Sequence, residues 1–320
     1  MQRSDIRTVL ILGAGTMGQQ IGLQCAMNGY RTIYYDLNRD ILDKAVKRVG
    51  KLANWYASTG RLTKEQLEQT MARITSTDNP GEAARDADII SESVPEDPDI
   101  KAKVFAQFHK LCPGRTVFTT NTSMLVPSMF AEATGRPEKP RALHFHDLRA
   151  STVVDVMPHP GTDPAVTQLV HDFAVSIGCI VIMLHRENNG YVFNAMLSSL
   201  FFSALTLASR GVTTVEDIDR SWMGVTYMPM GPFGIMDQVG LSTVWTITDY
   251  WAKKVGDPQA QKNADFIKQY VDRGELGYKT CLLYTSPRPR DRPRSRMQSS
   301  AWKKKKKTLQ ITHSHNQFVR

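Results

Sequence analysis

Residues 144 to 147 read His-Phe-His-Asp, and the stretch that follows runs on through Asp155 to His159. On a strand, His144 and His146 share a face because side chains alternate with a period of two. That spacing suits two chemistries. A histidine pair with Asp155 or His159 as a third ligand could hold a metal ion. Alternatively, one of the two imidazoles, titrating near neutrality, could take the proton of an alcohol as that alcohol is oxidised. Which of the two applies depends on what the surrounding elements bind.

A second constellation speaks to that. In "GAGTMG", Gly13, Gly15 and Gly18 fit GxGxxG, with Thr16 and Met17 inside the loop. The first glycine permits a tight turn, the second lets a pyrophosphate approach the backbone, and the third lets a helix lie close on a strand. An apolar run of strand length precedes the motif, a helix-like stretch follows it, and Asp36 ends the next strand-like segment, "RTIYYD". A carboxylate there accepts the hydroxyls of an adenosine ribose and repels a 2′-phosphate. The expected cofactor is therefore NAD rather than NADP. A nicotinamide enzyme acting on an alcohol needs a base and no metal, so this context favours one catalytic histidine and no resident metal.

The elements that must position these groups alternate. Strand-like segments recur at "ADIISESV", "TVFTTNTS", "RALHFH", "TVVDVMP" and "CIVIML", with helical stretches between several of them. This is the pattern of an α/β, doubly wound and mostly parallel Rossmann sheet. From about residue 187 the pattern turns helical: 189 to 209, a segment opened by a capping box at 213 to 216, and another after "MGPFG". The expected organisation is a dinucleotide-binding domain over 1 to 186 and a smaller all-helical substrate and dimerisation domain over 187 to 280. Residues 281 to 320 read as a basic, disordered tail of artefactual origin, because they lack periodicity and carry five consecutive lysines. In the first helix after Asp36, Ile41, Ala45, Val49, Leu52 and Tyr56 form an apolar stripe, and Lys44, Lys47, Arg48 and Lys51 a basic one. On composition alone the basic stripe reads as a solvated face; it could also hold the phosphates of a large anionic substrate.

Composition removes other classes. The formal charge of +9 over 320 residues resides in the tail, where 11 Lys and Arg face one acid; the rest holds 29 basic against 30 acidic residues. No polyanion-binding fold is indicated, and no nucleic-acid partner is expected. Four dispersed cysteines, Cys25, Cys112, Cys179 and Cys281, form no CxxC pair and suit a reducing compartment. The apolar start is short and runs directly into the glycines, unlike a signal peptide. The apolar segment 191 to 209 carries Asn194 and several hydroxyls, which suits a buried helix better than a membrane span. A cytoplasmic protein is expected.

Six motifs in order, "ILGAGTMGQQIG", "SESVPEDPDIKAKVF", "TTNTSMLVPSMF", "LHF", "NNGYVFNAML" and "MPMGPFGIMDQVGL", resemble the 3-hydroxyacyl-CoA dehydrogenases over residues 5 to about 280. The resemblance implies NAD-dependent, reversible oxidation of a 3-hydroxyacyl-CoA to the 3-ketoacyl-CoA, as in fatty-acid and butanoate metabolism, by a homodimer formed through the helical domain. It implies that His144 is the acid/base and that Ser123 and Asn194 hydrogen-bond the reacting oxygen. Glu96 and Lys101 match the acid and lysine near the nicotinamide half of the cofactor, and Lys44 and Lys51 become candidates for the CoA phosphates. Two departures bear on this. The family's HFFNP is replaced by His144-Phe145-His146-Asp147-Leu148, and the orienting carboxylate, usually a Glu, has Asp155 as its candidate one residue nearer. A one-residue slip on a strand reverses the face, so residues 147 to 151 must tighten if Asp155 is to meet His144. "DVMPHPGT" resembles relatives acting on small hydroxy acids, such as the gulonate and carnitine dehydrogenases. A free hydroxy acid is therefore the alternative substrate. A dinucleotide sensor without turnover is the alternative outside enzymes, although a sensor needs no His144, Ser123 and Asn194. After "GYKT" the family's glycine-rich continuation is replaced, so the helical domain is expected to be truncated.

Overall fold

Runs such as Val9-Leu10-Ile11-Leu12 are apolar on both faces, which suits strands covered by helices on both sides. The computed structural model, which describes residues 2–277, has eight of them. They are β1 (Thr8–Leu12), β2 (Arg31–Tyr35), β3 (Ile74–Thr77), β4 (Ile89–Glu92), β5 (Val117–Thr120), β6 (Arg141–Phe145), β7 (Val153–Met157) and β8 (Ile180–Met183). Their order in the sheet is β3-β2-β1-β4-β5-β6-β7-β8. Every neighbouring pair is parallel except β6 with β7. Chain order reverses between β1 and β4, and ligands of such sheets bind beyond the strand C-termini at that switch point.

Helices α1 (Thr16–Met27), α2 (Arg39–Ser58), α3 (Lys64–Ala72), α4 (Pro80–Ala84), α5 (Pro98–Leu111) and α6 (Pro164–Ser176) connect the strands. Alternate strand residues feed two cores. Val9, Ile11, Tyr34, Leu143 and Val154 pack with the buried faces of α1, α2 and α6. Leu10, Leu12, Ile33, Ile90 and Phe118 pack with Ala83 and Ala84 of α4 and Phe105 and Phe108 of α5. The remaining helices are α7 (Phe193–Ser209), α8 (Val215–Thr226), α9 (Pro232–Val239), α10 (Leu241–Val255) and α11 (Pro258–Asp272). The chain divides into two compact units at residues 197 and 198. The second unit has its own core, built on Leu205, Ile218, Phe233, Met236, Leu241, Val244 and Ile267.

Some local expectations are corrected. β3 gives no apolar signal because it is a half-exposed edge strand, paired among the described residues only with β2. On α2 the buried stripe is Leu42, Ala45, Val49, Ala53 and Tyr56, and Ile41 is exposed, so the stripe is set one residue later at its start. The cap of α8 is Thr214, which accepts from the Asp217 N–H, one residue beyond the expected box. The chain at 189 to 192 turns before α7 begins, with Tyr191 at φ +55°. Among the described residues Cys25, Cys112 and Cys179 are buried and free. No helix among them is long and apolar enough to cross a membrane. The expected basic tail of residues 281–320, with Cys281, lies outside the described residues.

Candidate active site

The glycine loop shows each of the three constraints separately. Gly13 sits at φ +96°, and a Cβ on it would come within 2.6 Å of the Ser93 carbonyl oxygen. A Cβ on Gly18 would lie 2.0 Å from the Gly13 carbonyl oxygen and 3.1 Å from Ile11, so α1 approaches β1 as closely as it does only without a side chain. A Cβ on Gly15 would meet nothing within 4 Å. Gly15 is also the N-cap of α1, and no side chain caps the helix there. The first N–H groups of α1 are thus directed at open space, the arrangement that receives a phosphate. Asp36, just past β2, closes the loop: its carboxylate accepts from the Ala14 N–H at 2.9 Å and the Leu37 N–H at 2.8 Å. These residues fit a dinucleotide. Thr16 is exposed and Met17 half-buried at the start of α1.

Beyond β4, Glu96 organises the turn that carries Ser123. Its Oε1 accepts from the Thr122 hydroxyl, the Ser123 N–H at 2.8 Å and the Met124 N–H at 3.1 Å. Burial works against its charge, but the Lys101 ammonium and these donors outweigh it and hold the carboxyl below its ordinary range. Lys101, on α5, is buried; its ammonium lies 2.8 Å from Glu92 and 3.3 Å from Glu96. Glu92, at the end of β4, also accepts from Thr120 of β5 and from the Val94 N–H. A charged chain thus runs from the buried end of β4 to the Ser123 turn.

His144 and Asp155 are directly paired in the antiparallel register of β6 and β7. Their side chains therefore share a face, and His144 Nδ1 lies 3.1 Å from Asp155 Oδ2. The one-residue shortening is absorbed in the connection, where the Ala150 and Ser151 N–H groups both donate to the Asp147 carbonyl and Arg149 pairs with the Asp147 carboxylate. Leu148 is fixed from elsewhere: its N–H donates to Gln20 of α1, and its carbonyl accepts from Tyr56 of α2. Asn121 accepts from the Phe145 N–H, tying β6 to the chain after β5.

His144 is 3 % exposed and Asp155 1 %. Burial pushes the imidazole below its ordinary value, more than the carboxylate raises it, and the neighbouring His146 lowers it further. Desolvation wins over the carboxylate because it disfavours the cation. Burial would raise Asp155, but the hydrogen bonds from His144 and His146 hold it low. The pair is a neutral imidazole beside a carboxylate. With Nδ1–H directed at Asp155, the Nε2 lone pair is left to accept a proton.

Two further groups lie near this dyad; His146 was read from the sequence as sharing a face with His144, whereas Tyr191 was not foreseen. Tyr191 stacks on His144 with ring centroids 4.4 Å apart and planes 6° from parallel, while its hydroxyl donates to the Thr122 carbonyl. Its positive φ, after Gly190 at +77°, is a strained backbone of the kind kept at functional sites, and Gly-Tyr was the available signal. His146 approaches the same Asp155 oxygen at 3.4 Å through Nε2. His144, His146 and Asp155 are thereby close enough to offer one metal-ligating atom each. His159 is elsewhere, with both ring nitrogens engaged by the Pro137 carbonyl and the Gly161 N–H. Asn194 lies in the first turn of α7, next to Phe193, whose ring meets His146 edge-on. Lys44 and Lys51 are on the exposed face of α2, with Lys47 and Arg48.

Comparison with known proteins adds the following. The family model described as 3-hydroxyacyl-CoA dehydrogenase, NAD binding domain, matches residues 8–187, and the model of the corresponding C-terminal domain matches residues 190–282. A probable 3-hydroxyacyl-CoA dehydrogenase of Caenorhabditis elegans is 30% identical over 283 residues, covering 86% of this chain and 94% of that protein. A solved structure concerned with catalysis of dicarbonyl compounds by a diketoreductase superposes with a TM-score of 0.79 at 37% identity, covering 86% and 96% of the two chains. The (S)-3-hydroxybutyryl-CoA dehydrogenase of Ralstonia eutropha superposes equally well, TM-score 0.79, at 25% identity and the same coverage.

Proposed function

The chain belongs to the 3-hydroxyacyl-CoA dehydrogenase family and uses NAD, and from that premise we propose that it interconverts a 3-hydroxyacyl-CoA and the 3-ketoacyl-CoA. The observation that carries this reading is the buried His144–Asp155 pair, register-matched across β6 and β7. Bound NAD supplies the acceptor for the hydrogen on carbon 3. The remaining work belongs to side chains of this chain. Gly13, Gly15, Gly18, Thr16 and Met17 shape the pyrophosphate cradle, and Asp36 holds the adenosine ribose. Nε2 of His144 takes the proton of the 3-hydroxyl, and Asp155 steadies the imidazolium so formed. Ser123 and Asn194 donate to the oxygen as it becomes a carbonyl. Glu96, with Lys101 behind it, fixes the Ser123 turn beside the nicotinamide. In the reducing direction the imidazolium returns the proton. Lys44 and Lys51 bind the phosphates of the CoA moiety. The working molecule is a homodimer.

A specific observation favours a second reading. Identity to the diketoreductase, 37%, exceeds that to the hydroxybutyryl-CoA enzyme, 25%, at the same coverage. A dicarbonyl compound or free keto acid not carried on CoA is the corresponding substrate. The deciding experiment follows NADH loss with acetoacetyl-CoA, a non-thioester diketone and a free 3-keto acid. A higher kcat/KM for acetoacetyl-CoA supports the first reading, and a clear preference for the diketone or the acid replaces it with the second.

A further inference from the structure

His146 has no part in the proton transfer above. Yet its Nε2 lies 3.4 Å from Oδ2 of Asp155, the oxygen that His144 Nδ1 approaches at 3.1 Å. One ligand atom from each of the three side chains lies within 4.8 Å of the other two. Tetrahedral zinc bonded to nitrogen and oxygen at about 2.0–2.2 Å sets its ligand atoms roughly 3.3–3.5 Å apart. The two separations to Asp155 already match that spacing to within a few tenths of an ångström. The third separation lies within 4.8 Å, and His146, less enclosed than the other two, has the most room to adjust. Two imidazoles and one carboxylate, with a fourth position for water, are a donor set that zinc takes. The Tyr191 ring covers His144 face to face, and the Phe193 ring meets His146 edge-on. A phenylalanine at position 146, as in the family's HFFNP, would leave only two ligands.

We propose that His144, His146 and Asp155 form a zinc-binding site and that its occupation shuts off the proton transfer. The ion bonds to the Nδ1 lone pair of His144, which requires the Nδ1 proton to go to solvent. Nε2 takes up a proton in exchange, so the ring stays neutral but in the opposite tautomer. The nitrogen that must receive the hydroxyl proton is then already protonated, and the carboxylate that would steady the imidazolium is committed to the ion. Zinc here is an added ligand, not a resident cofactor. The binding site rests on the geometry of three side chains; only the inhibition rests on His144 being the base.

The test uses the full chain and zinc chloride alone, titrated calorimetrically and against a chromophoric chelator, with NADH turnover measured in parallel. One tight zinc per chain is expected, with turnover reduced at least about tenfold and restored by EDTA. In His146→Gln the affinity should fall by at least about a hundredfold, the upper range for disturbing even the outer partners of a metal site. His146→Phe, checked for fold by circular dichroism, should behave alike. Cobalt(II) gives a readout free of catalysis: a tetrahedral visible spectrum in the parent and none in either variant. Equal zinc binding by parent and variants, or bound zinc that leaves the rate unchanged, overturns the proposal. Zinc binding that depends on His146 in a protein that turns over no substrate supports the site and overturns the functional reading instead.

Discussion

At the residue scale, the weight falls on one hydrogen bond. His144 and Asp155 are buried and paired, and the imidazole is held neutral mainly by desolvation. His144→Gln should lower kcat at least about a hundredfold, the low end for losing a positioned acid/base, while NADH affinity measured by fluorescence is retained. Asp155→Asn keeps the shape but removes the group that raises the histidine. It should lower kcat and move the acid limb of the oxidation profile to lower pH; an unchanged rate and profile would remove Asp155 from the mechanism. Asp36→Ala should relax the preference for NAD, read as the ratio of kcat/KM with NAD to that with NADP. The shared face of the two histidines was legible from strand spacing, and Asp36 from its place after the second strand of the glycine-loop unit. That the group both histidines meet is Asp155 and not His159 was not. It depends on how a seven-residue connection closes, and no periodicity records that. Tyr191 was equally hidden, since its stack on His144 joins residues 47 positions apart.

At the element scale, the doubly wound, mostly parallel sheet was readable from alternating apolar runs and the glycine turn from its GxGxxG spacing, whereas the ends of elements were less so. The edge strand β3 is set by its pairing with β2, distant in sequence, and the start of α8 by a single hydrogen bond to the Thr214 side chain. The same applies to the Glu92–Lys101–Glu96 chain, which links β4 to α5 and the Ser123 turn. Lys101→Met would leave Glu92 buried and unpaired, and removing one partner of a buried pair costs about 3–5 kcal/mol. Denaturant unfolding should show that loss. Glu96 adds a pH signature. Its folded value lies below the ordinary 4.5, so its stabilisation is complete above 4.5 and is lost as pH falls through the folded value. The difference in Tm between the parent and Glu96→Gln should therefore narrow as pH drops below 4.5. A difference that stays constant from pH 7 to pH 3 would show that the carboxylate charge is not what holds the Ser123 turn.

At the scale of the whole molecule, α7 carries the argument. It is apolar around most of its circumference, yet over its 17 residues only Ala204 and Leu205 are buried, while Met196, Phe202 and Leu207 are exposed. A helix hydrophobic on all sides ordinarily lies inside a larger core. Large exposed apolar patches on a protein surface commonly mark where another molecule binds. A second copy of the chain is the occupant that the proposed homodimer supplies. Two-fold symmetry then puts the same face on both partners and doubles the effect of any one change. Light scattering on the eluting protein should give twice the mass of the 320-residue chain. Phe202→Glu, which places a carboxylate on each side of the axis, should shift the mass toward the monomer and lower Tm, because subunit association stabilises the folded state by mass action. The zinc affinity should not change with it, since His144, His146 and Asp155 all lie in the unit that ends at residue 197. A parent protein that elutes as a monomer at tens of micromolar, or a Phe202→Glu variant with unaltered mass, would mean that α7 is not the joining face.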